Sequence, residues 1–281
     1  AAEGLGRAEI RRRLDDHHVA RVEERLPDQL ERLDRAARYQ QLGFRGPCSL
    51  QTLETVGELD TGVPATPSSL FNVASLTKPV MAVTTLALVS AGRLSLDESL
   101  APYWVDPDIR SDPRYEKLTA RLILSHQTGF PNWRHMMPSK KLGFLFDPGT
   151  KFGYSGEGLE YLRRAREHKF ATSLQHLSDS VLFQPAGMTE TTYGWNPRAD
   201  TMRFAVGHDT AGAAIAVQMR TTATPNAADW LVTTVGDYSR FGEYVLAGAG
   251  LSAGTYAEMI RPQVQMDGKP NEAMGLGGDG R

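Results

Sequence analysis

The sequence predicts one compact α/β unit. Three observations carry that expectation: 281 residues with 41% apolar and 23% charged side chains, helical apolar spacings that alternate with short turn-bounded runs, and no internal repeat or low-complexity linker. A chain of this length buries a sizeable core in a single domain, 1–281. A net charge of −2 gives no electrostatic reason to expect a nucleic-acid partner or an acidic membrane surface. It points instead to a small-molecule or peptide substrate, and the oligomeric state stays open.

The N-terminal segment, 1–42, is dense in Arg, Glu and Asp, and Ile10, Leu14, Val22, Leu26, Leu30 and Leu33 recur at helical spacing with a break at Pro27. Its basic run Arg11-Arg12-Arg13 is followed by Asp15 and Asp16, so it reads as a solvated helix face, not a binding patch. After a few alternating positions in 49–59, the turn-rich "DTGVPATPSS" is a loop. "SLTKPVMAVTTLALVSAG" predicts a helix ending at Gly92 and buried on most sides. Further helices are expected near 118–126, 159–168 and 173–184, with an amphipathic one preceded by a short approach in 229–247. The Gly-rich tail, 267–281, shows no clear periodicity. No apolar run is long enough to cross a membrane.

The one cysteine, Cys48, excludes an internal disulfide framework and a multi-cysteine metal site. With no H-E-x-x-H spacing, phosphate loop or dinucleotide fingerprint, neither metal nor cofactor is expected. The chain opens on "AAEGLG" without a methionine, which reads as a removed leader or a trimmed start. A periplasmic or secreted location is therefore expected over a cytoplasmic one.

Two groups of residues could do chemistry. Ser75-Leu76-Thr77-Lys78 puts a serine and a lysine three apart on one helix face, so the amine can reach the hydroxyl. Near a helix start, Ser75 also lies in the field of exposed N–H groups, and burial would lower the proton affinity of Lys78. Tyr154, in the Gly-rich loop "FDPGTKFGYSGEG", can be aimed into a cleft to relay protons; packing over the following helix is its structural alternative. Ser155 is one residue short of a G-x-S-x-G elbow, because position 157 is Glu. It also follows a turn-rich loop, not a buried strand, so the elbow fails on context. His126, after "LILS", stands where a histidine caps the last carbonyls of a helix. Trp104, Trp133 and Trp195 could line a cleft or fill core.

Taken in order, "LFNVASLTKPVMAVTTLALVSAGRLSLDESL", "LTARLILSHQTGF", "FDPGTKFGYSGEGLEYL", "LFQPAGMTETTYGW" and "LVTTVGDYSRFGEYVLAG" resemble the penicillin-binding-protein-like serine hydrolases: class C β-lactamases, D,D-carboxypeptidases and related esterases. The likeness runs from about Thr55 to Met266. It implies a β-lactamase/transpeptidase-like fold, a mostly antiparallel sheet flanked by helices beside an all-helical lobe. It also implies two-step acyl transfer to water, with Ser75 as nucleophile, Lys78 as its base partner, Tyr154 as general base or proton relay, and the Ser75 N–H as half of an oxyanion hole.

Three departures accompany the resemblance. Gly156 stands where the family has a substrate-binding asparagine, which favours an esterase or peptidase over a β-lactamase. No Lys- or His-x-Gly triad follows Tyr154, and the strands expected at 43–60 are cut short, so a reduced sheet is expected. These losses motivate the alternative of a catalytically impaired member used as a binding or assembly module. Retention of Ser75, Lys78 and Tyr154 argues for the enzyme.

Overall fold

The computed structural model describes residues 58–60, 63–195, 203–207, 213, 225–266, 268–269 and 272–280. By its contacts the chain divides into residues 1–49 and residues 50–281, and every described residue belongs to the second unit. The N-terminal helical segment and Cys48 lie outside the described residues.

The centre of the fold is α1, Thr77–Ser90, preceded by a 3-10 turn at Ala74–Leu76. Pro79 sits in its first turn, where no intrahelical N–H is lost. From Val80 to Leu86 every residue of α1 is buried, Thr84 and Thr85 included. Those hydroxyls are satisfied by the preceding turn, donating to Val80 O at 2.9 Å and Met81 O at 2.8 Å. The helix stops where the sequence predicts. Gly92 adopts φ +67°, its N–H donates to Val89 O, and the Arg93 N–H donates to Leu88 O, the paired bonds of a Schellman ending.

Around α1 lie α2, Ala120–Leu124, and α3, Gly156–Phe170. A continuous helical stretch follows: α4, Leu174–Ser178, a π turn at Asp179–Phe183, and α5, Gln184–Ala186. The chain closes with α6, Val235–Leu246, and α7, Ala253–Ile260. Met81, Leu86, Leu100, Ile123, Leu162 and Phe183 form the heart of one apolar cluster.

Among the described residues the strands are short and antiparallel. β1, Glu58–Asp60, pairs with β2, Val63–Pro64. β3, Phe71–Asn72, and β4, Thr192–Tyr193, flank β5, Leu231–Thr233, with Phe71 opposite Thr233 and Thr192 opposite Val232. All of β5 is buried, so the "short approach" before α6 is the central strand of its sheet.

The tail departs from its aperiodic reading. β6, Val264–Gln265, β7, Ala273–Met274, and β8, Asp279–Gly280, form a third antiparallel sheet. Between β7 and β8, Leu276 is buried and its N–H donates to Met259 O, while the Gly277 N–H donates to Leu124 O. A side chain at Gly277, φ +92°, would meet Ala82 Cβ of α1 at 2.2 Å, so glycine lets the tail lie against the central helix. Pairing with distant segments, not local periodicity, makes this segment ordered.

Candidate active site

Ser75 lies in the 3-10 turn just before α1, and Lys78 is the second residue of the helix. Lys78 Nζ donates to Ser75 Oγ at 3.0 Å and to the Ala228 carbonyl at 2.8 Å. Tyr154 Oη donates to the same Ser75 Oγ at 3.0 Å. Lys78 Nζ also stands 4.8 Å from the Tyr154 ring centroid, a cation–π separation. Ser75 is exposed, Tyr154 is 40% exposed and Lys78 is buried. The three residues thus form a mixed site: a solvent-facing hydroxyl and phenol above an ammonium sunk in the core.

The turn holding Ser75 is fixed from several directions. Ala74 takes φ +46°, a left-handed conformation that costs an alanine about 1–2 kcal/mol. Its N–H is held by Asn72 Oδ1 at 2.9 Å. Thr77 Oγ1 donates to Ala74 O at 2.6 Å and accepts the Leu231 N–H at 3.0 Å, tying the turn to β5. Tyr238 Oη of α6 donates to Leu76 O at 3.0 Å, and burial pushes its phenol up to about 12. The Ser75 N–H makes no hydrogen bond among the described residues.

Sequence reasoning missed the segment that supplies the second partner of Lys78. Asn226 Oδ1 accepts the N–H groups of Ala228 at 2.8 Å and Asp229 at 3.1 Å. Glu160 of α3 accepts the Ala227 N–H at 2.5 Å. These bonds aim the Ala228 carbonyl at the ammonium. The only local signal is Pro225-Asn226, a turn-forming pair.

Ser155 is a cap. It is fully buried, its Oγ accepts the Gly158 N–H at 3.0 Å and donates to Pro131 O at 2.8 Å. With both roles of the hydroxyl occupied, it starts α3 and has no free face for a substrate.

Gly156, the first residue of α3, gives its N–H to Asn132, to Oδ1 at 2.9 Å and O at 3.1 Å. A Cβ here would lie 2.6 Å from the Trp133 indole, so the ring fills the space a side chain would need. Trp133 is held in turn by its neighbour. The Arg134 N–H and guanidinium donate to Glu157 in the first turn of α3, at 2.9 and 2.8 Å, and the guanidinium also meets Asp106 at 2.8 Å and Asp108 at 3.1 Å. Burial alone would lower the Arg134 pKa, but Glu157 and Asp106 outweigh it and raise it.

His126 requires a correction. Its backbone does end a helix: at φ +56° it takes the left-handed position after Ser125, and the next N–H, that of Gln127, donates to Leu122 O at 2.7 Å. Its ring does not cap the carbonyls. Nδ1 accepts the Ser155 N–H at 3.1 Å, and the ring lies against Tyr154 with centroids 4.5 Å apart. Burial, and then the Lys78 charge, push the imidazole down to about 3. It is neutral with Nδ1 as acceptor.

Trp195 packs in a small cluster with Leu70, Phe204 and Val232, and Trp104 stacks on His168. A hollow of about 650 Å³ bounded by Gln175, Asp179, Met188 and Thr191 contains none of the three site residues. Among the described residues no cluster of His, Cys, Asp and Glu could hold a metal ion, and no helix is long and apolar enough to cross a membrane.

The Beta-lactamase family model matches residues 36–278. The chain belongs to the beta-lactamase family. It is similar to penicillin-binding protein 4* of Bacillus subtilis (strain 168), 29% identical over 46% of this chain and 31% of that protein. It is also similar to esterase EstB of Burkholderia gladioli, 26% identical over 54% of this chain and 44% of the esterase. Its fold matches the crystal structure of D-amino acid amidase from Ochrobactrum anthropi SV3 complexed with L-phenylalanine, with a TM-score of 0.65, 24% identity, and 82% of this chain and 71% of that chain covered. The matches cover 31% of penicillin-binding protein 4* and 44% of EstB, so this beta-lactamase-family chain corresponds to less than half of either.

Proposed function

We propose that this beta-lactamase-family protein is a serine hydrolase that cleaves an ester or amide through an acyl-enzyme on Ser75. The observation that carries the reading is the meeting of Lys78 Nζ and Tyr154 Oη on Ser75 Oγ, each at 3.0 Å. A serine hydroxyl is a weak nucleophile until a neighbouring group takes its proton, and two groups here are within reach.

In the reading, Tyr154 enters the step as a phenolate beside the Lys78 ammonium; Ser75 Oγ attacks the substrate carbonyl carbon and its proton passes to Tyr154 Oη. The oxygen of the tetrahedral intermediate faces the Ser75 N–H, one donor of an oxyanion hole. Collapse breaks the bond to the leaving group, which takes the proton from Tyr154 Oη. Water then attacks the acyl-enzyme along the same proton path in reverse and releases the acid. The carbonyl of Ala228 holds the ammonium of Lys78 on the serine side of the site throughout.

Membership of a family of serine hydrolases and the similarity to an esterase and an amidase support an ester or small amide as substrate. Gly156 offers an acyl group no side-chain amide, and the neighbouring surface is the Trp133 indole. The reading therefore favours small esters or amides over β-lactams.

The test is covalent labelling. A fluorophosphonate, or a fluorescent penicillin for the β-lactam arm, is expected to add to the wild-type protein with a mass shift on Ser75, and Ser75→Ala is expected to abolish it. Labelling that survives Ser75→Ala refutes the assignment. No adduct and no turnover across a panel of esters would favour the binding-module alternative.

A further inference from the structure

His126 contacts four consecutive residues, Phe152 to Ser155, which include the proposed proton relay. Its carbonyl accepts the Gly153 N–H at 2.7 Å, and its Nδ1 accepts the Ser155 N–H at 3.1 Å. The two bonds grip the chain immediately before and immediately after Tyr154. Its ring lies against the Tyr154 ring at 4.5 Å with a tilt of 32°, and meets the Phe152 ring edge-on at 6.0 Å. The imidazole is 4% exposed.

Apart from His126, the contacts that hold Tyr154 are Lys78 Nζ over its ring and its hydrogen bond to Ser75 Oγ. The tyrosine is 40% exposed, and its loop is bordered by Gly153 and Gly156. An exposed phenol on a Gly-flanked loop samples several directions unless its backbone is fixed. A backbone carbonyl at position 126 could come from any residue, but an acceptor aimed at the Ser155 N–H could not. That N–H is buried, so it needs a partner. A left-handed residue without such a side chain, glycine above all, would end α2 equally well. The φ of +56° at His126 therefore marks a place where the side chain, not the helix ending, fixes the residue type.

We infer that His126 is the positioning residue of Tyr154: a neutral imidazole that clamps the loop on both sides of the tyrosine and so keeps its hydroxyl on Ser75. The inference rests on the acyl-enzyme reading and extends it to a residue that touches none of the reacting atoms. The imidazole takes no proton in the reaction. Its contribution is geometric, and misplacing a reacting group by about 1 Å costs on the order of a hundredfold in rate.

The test compares His126→Phe, which keeps an aromatic ring but has no acceptor, with His126→Asn, whose amide oxygen can accept the Ser155 N–H and which tolerates a positive φ. Turnover of a chromogenic ester is measured per fluorophosphonate-labelled site, so that loss of folded protein does not count as loss of rate. The Phe variant is expected to lose at least tenfold in kcat with KM unchanged, and the Asn variant to regain most of it. Equal rates per labelled site in the Phe variant and wild type overturn the inference, as does an Asn variant no better than the Phe one. If the Phe variant does not fold, the Asn variant decides alone: a rate within about threefold of wild type supports the clamp, and a loss above tenfold refutes it.

Failure of the hydrolase reading leaves a separate measurement. If the wild type turns over no ester, crystal structures of wild type and variant still report the Tyr154 Oη to Ser75 Oγ separation of 3.0 Å. An unchanged separation in His126→Phe refutes the clamp, and a tyrosine swung off the serine supports it.

Discussion

Tyr154 Oη and Ser75 Oγ stand 3.0 Å apart across 79 residues of chain, while Lys78 reaches the same oxygen from one helical turn away. One contact is built by a helix and the other by the whole fold. They therefore fail in different ways when the protein is altered.

Lys78→Met isolates the local contact. The methionine fills the volume of the lysine stem and removes a buried charge, which offsets the loss of a donor to Ala228 O. Stability is expected to stay within about 1–2 kcal/mol of wild type by urea denaturation, while the rate of fluorophosphonate labelling falls by about 10²–10⁴. A variant that labels at the wild-type rate would remove Lys78 from the chemistry.

Gly156→Ala tests the packing of Trp133. The new Cβ would lie 2.6 Å from the indole, an overlap that costs about 1–3 kcal/mol. In a Trp133→Ala background the same change is expected to be neutral or mildly stabilising, since alanine suits a helix better than glycine. A double-mutant cycle read from urea midpoints checks this, and additive costs would disprove the contact.

The neutral His126 gives the fold a pH dependence above the carboxylate range. Its folded pKa is lowered to about 3 from the ordinary 6.5. Between those values the unfolded chain binds a proton that the folded protein refuses, so stability is complete above pH 6.5 and falls as the pH drops toward 3. From pH 7 to 5, before Asp97 and Glu258 begin to protonate, the expected loss is about 1–2 kcal/mol. His126→Asn should show a flat profile over that interval, which urea midpoints at pH 7, 6 and 5 would measure.

Arg166 makes a further prediction. It is fully buried in α3, its Nη1 donates to Thr85 Oγ1 at 2.7 Å, and its Nε and Nη2 have no partner among the described residues. Burial pushes the guanidinium down to about 10. Thr85 keeps its bond to Met81 O without the arginine, so Arg166→Met leaves nothing orphaned. It is expected to leave stability unchanged or to raise it by about 1–4 kcal/mol, a shift in urea midpoint that calorimetry can confirm.

Much of the helical scaffold is legible because helices report themselves locally. The apolar run of α1 and the glycine after it set both its burial and its end, and the three-residue spacing of Ser75 and Lys78 puts their side chains together before any tertiary contact forms. The starts of α2 and α3 are harder to read. α3 begins at Gly156, three residues before the expected start at 159, because Ser155 caps it: its Oγ accepts the Gly158 N–H and donates to the distant Pro131 O.

The sequence by itself determined the class of the fold, the helix that carries Lys78 with Ser75 just before it, and the candidacy of Tyr154. Only the tertiary structure decided the rest: that Ser155 is a cap, that Trp133 fills the space beside Gly156, that the Ala228 carbonyl holds Lys78, and that His126 faces Tyr154 and not its own helix. The physical reason is the range of the interactions. Helical periodicity and turn chemistry act over three or four residues, whereas the partners of Lys78 and Tyr154 are 150 and 79 residues away. Nothing in a local pattern records which distant backbone or ring will arrive there.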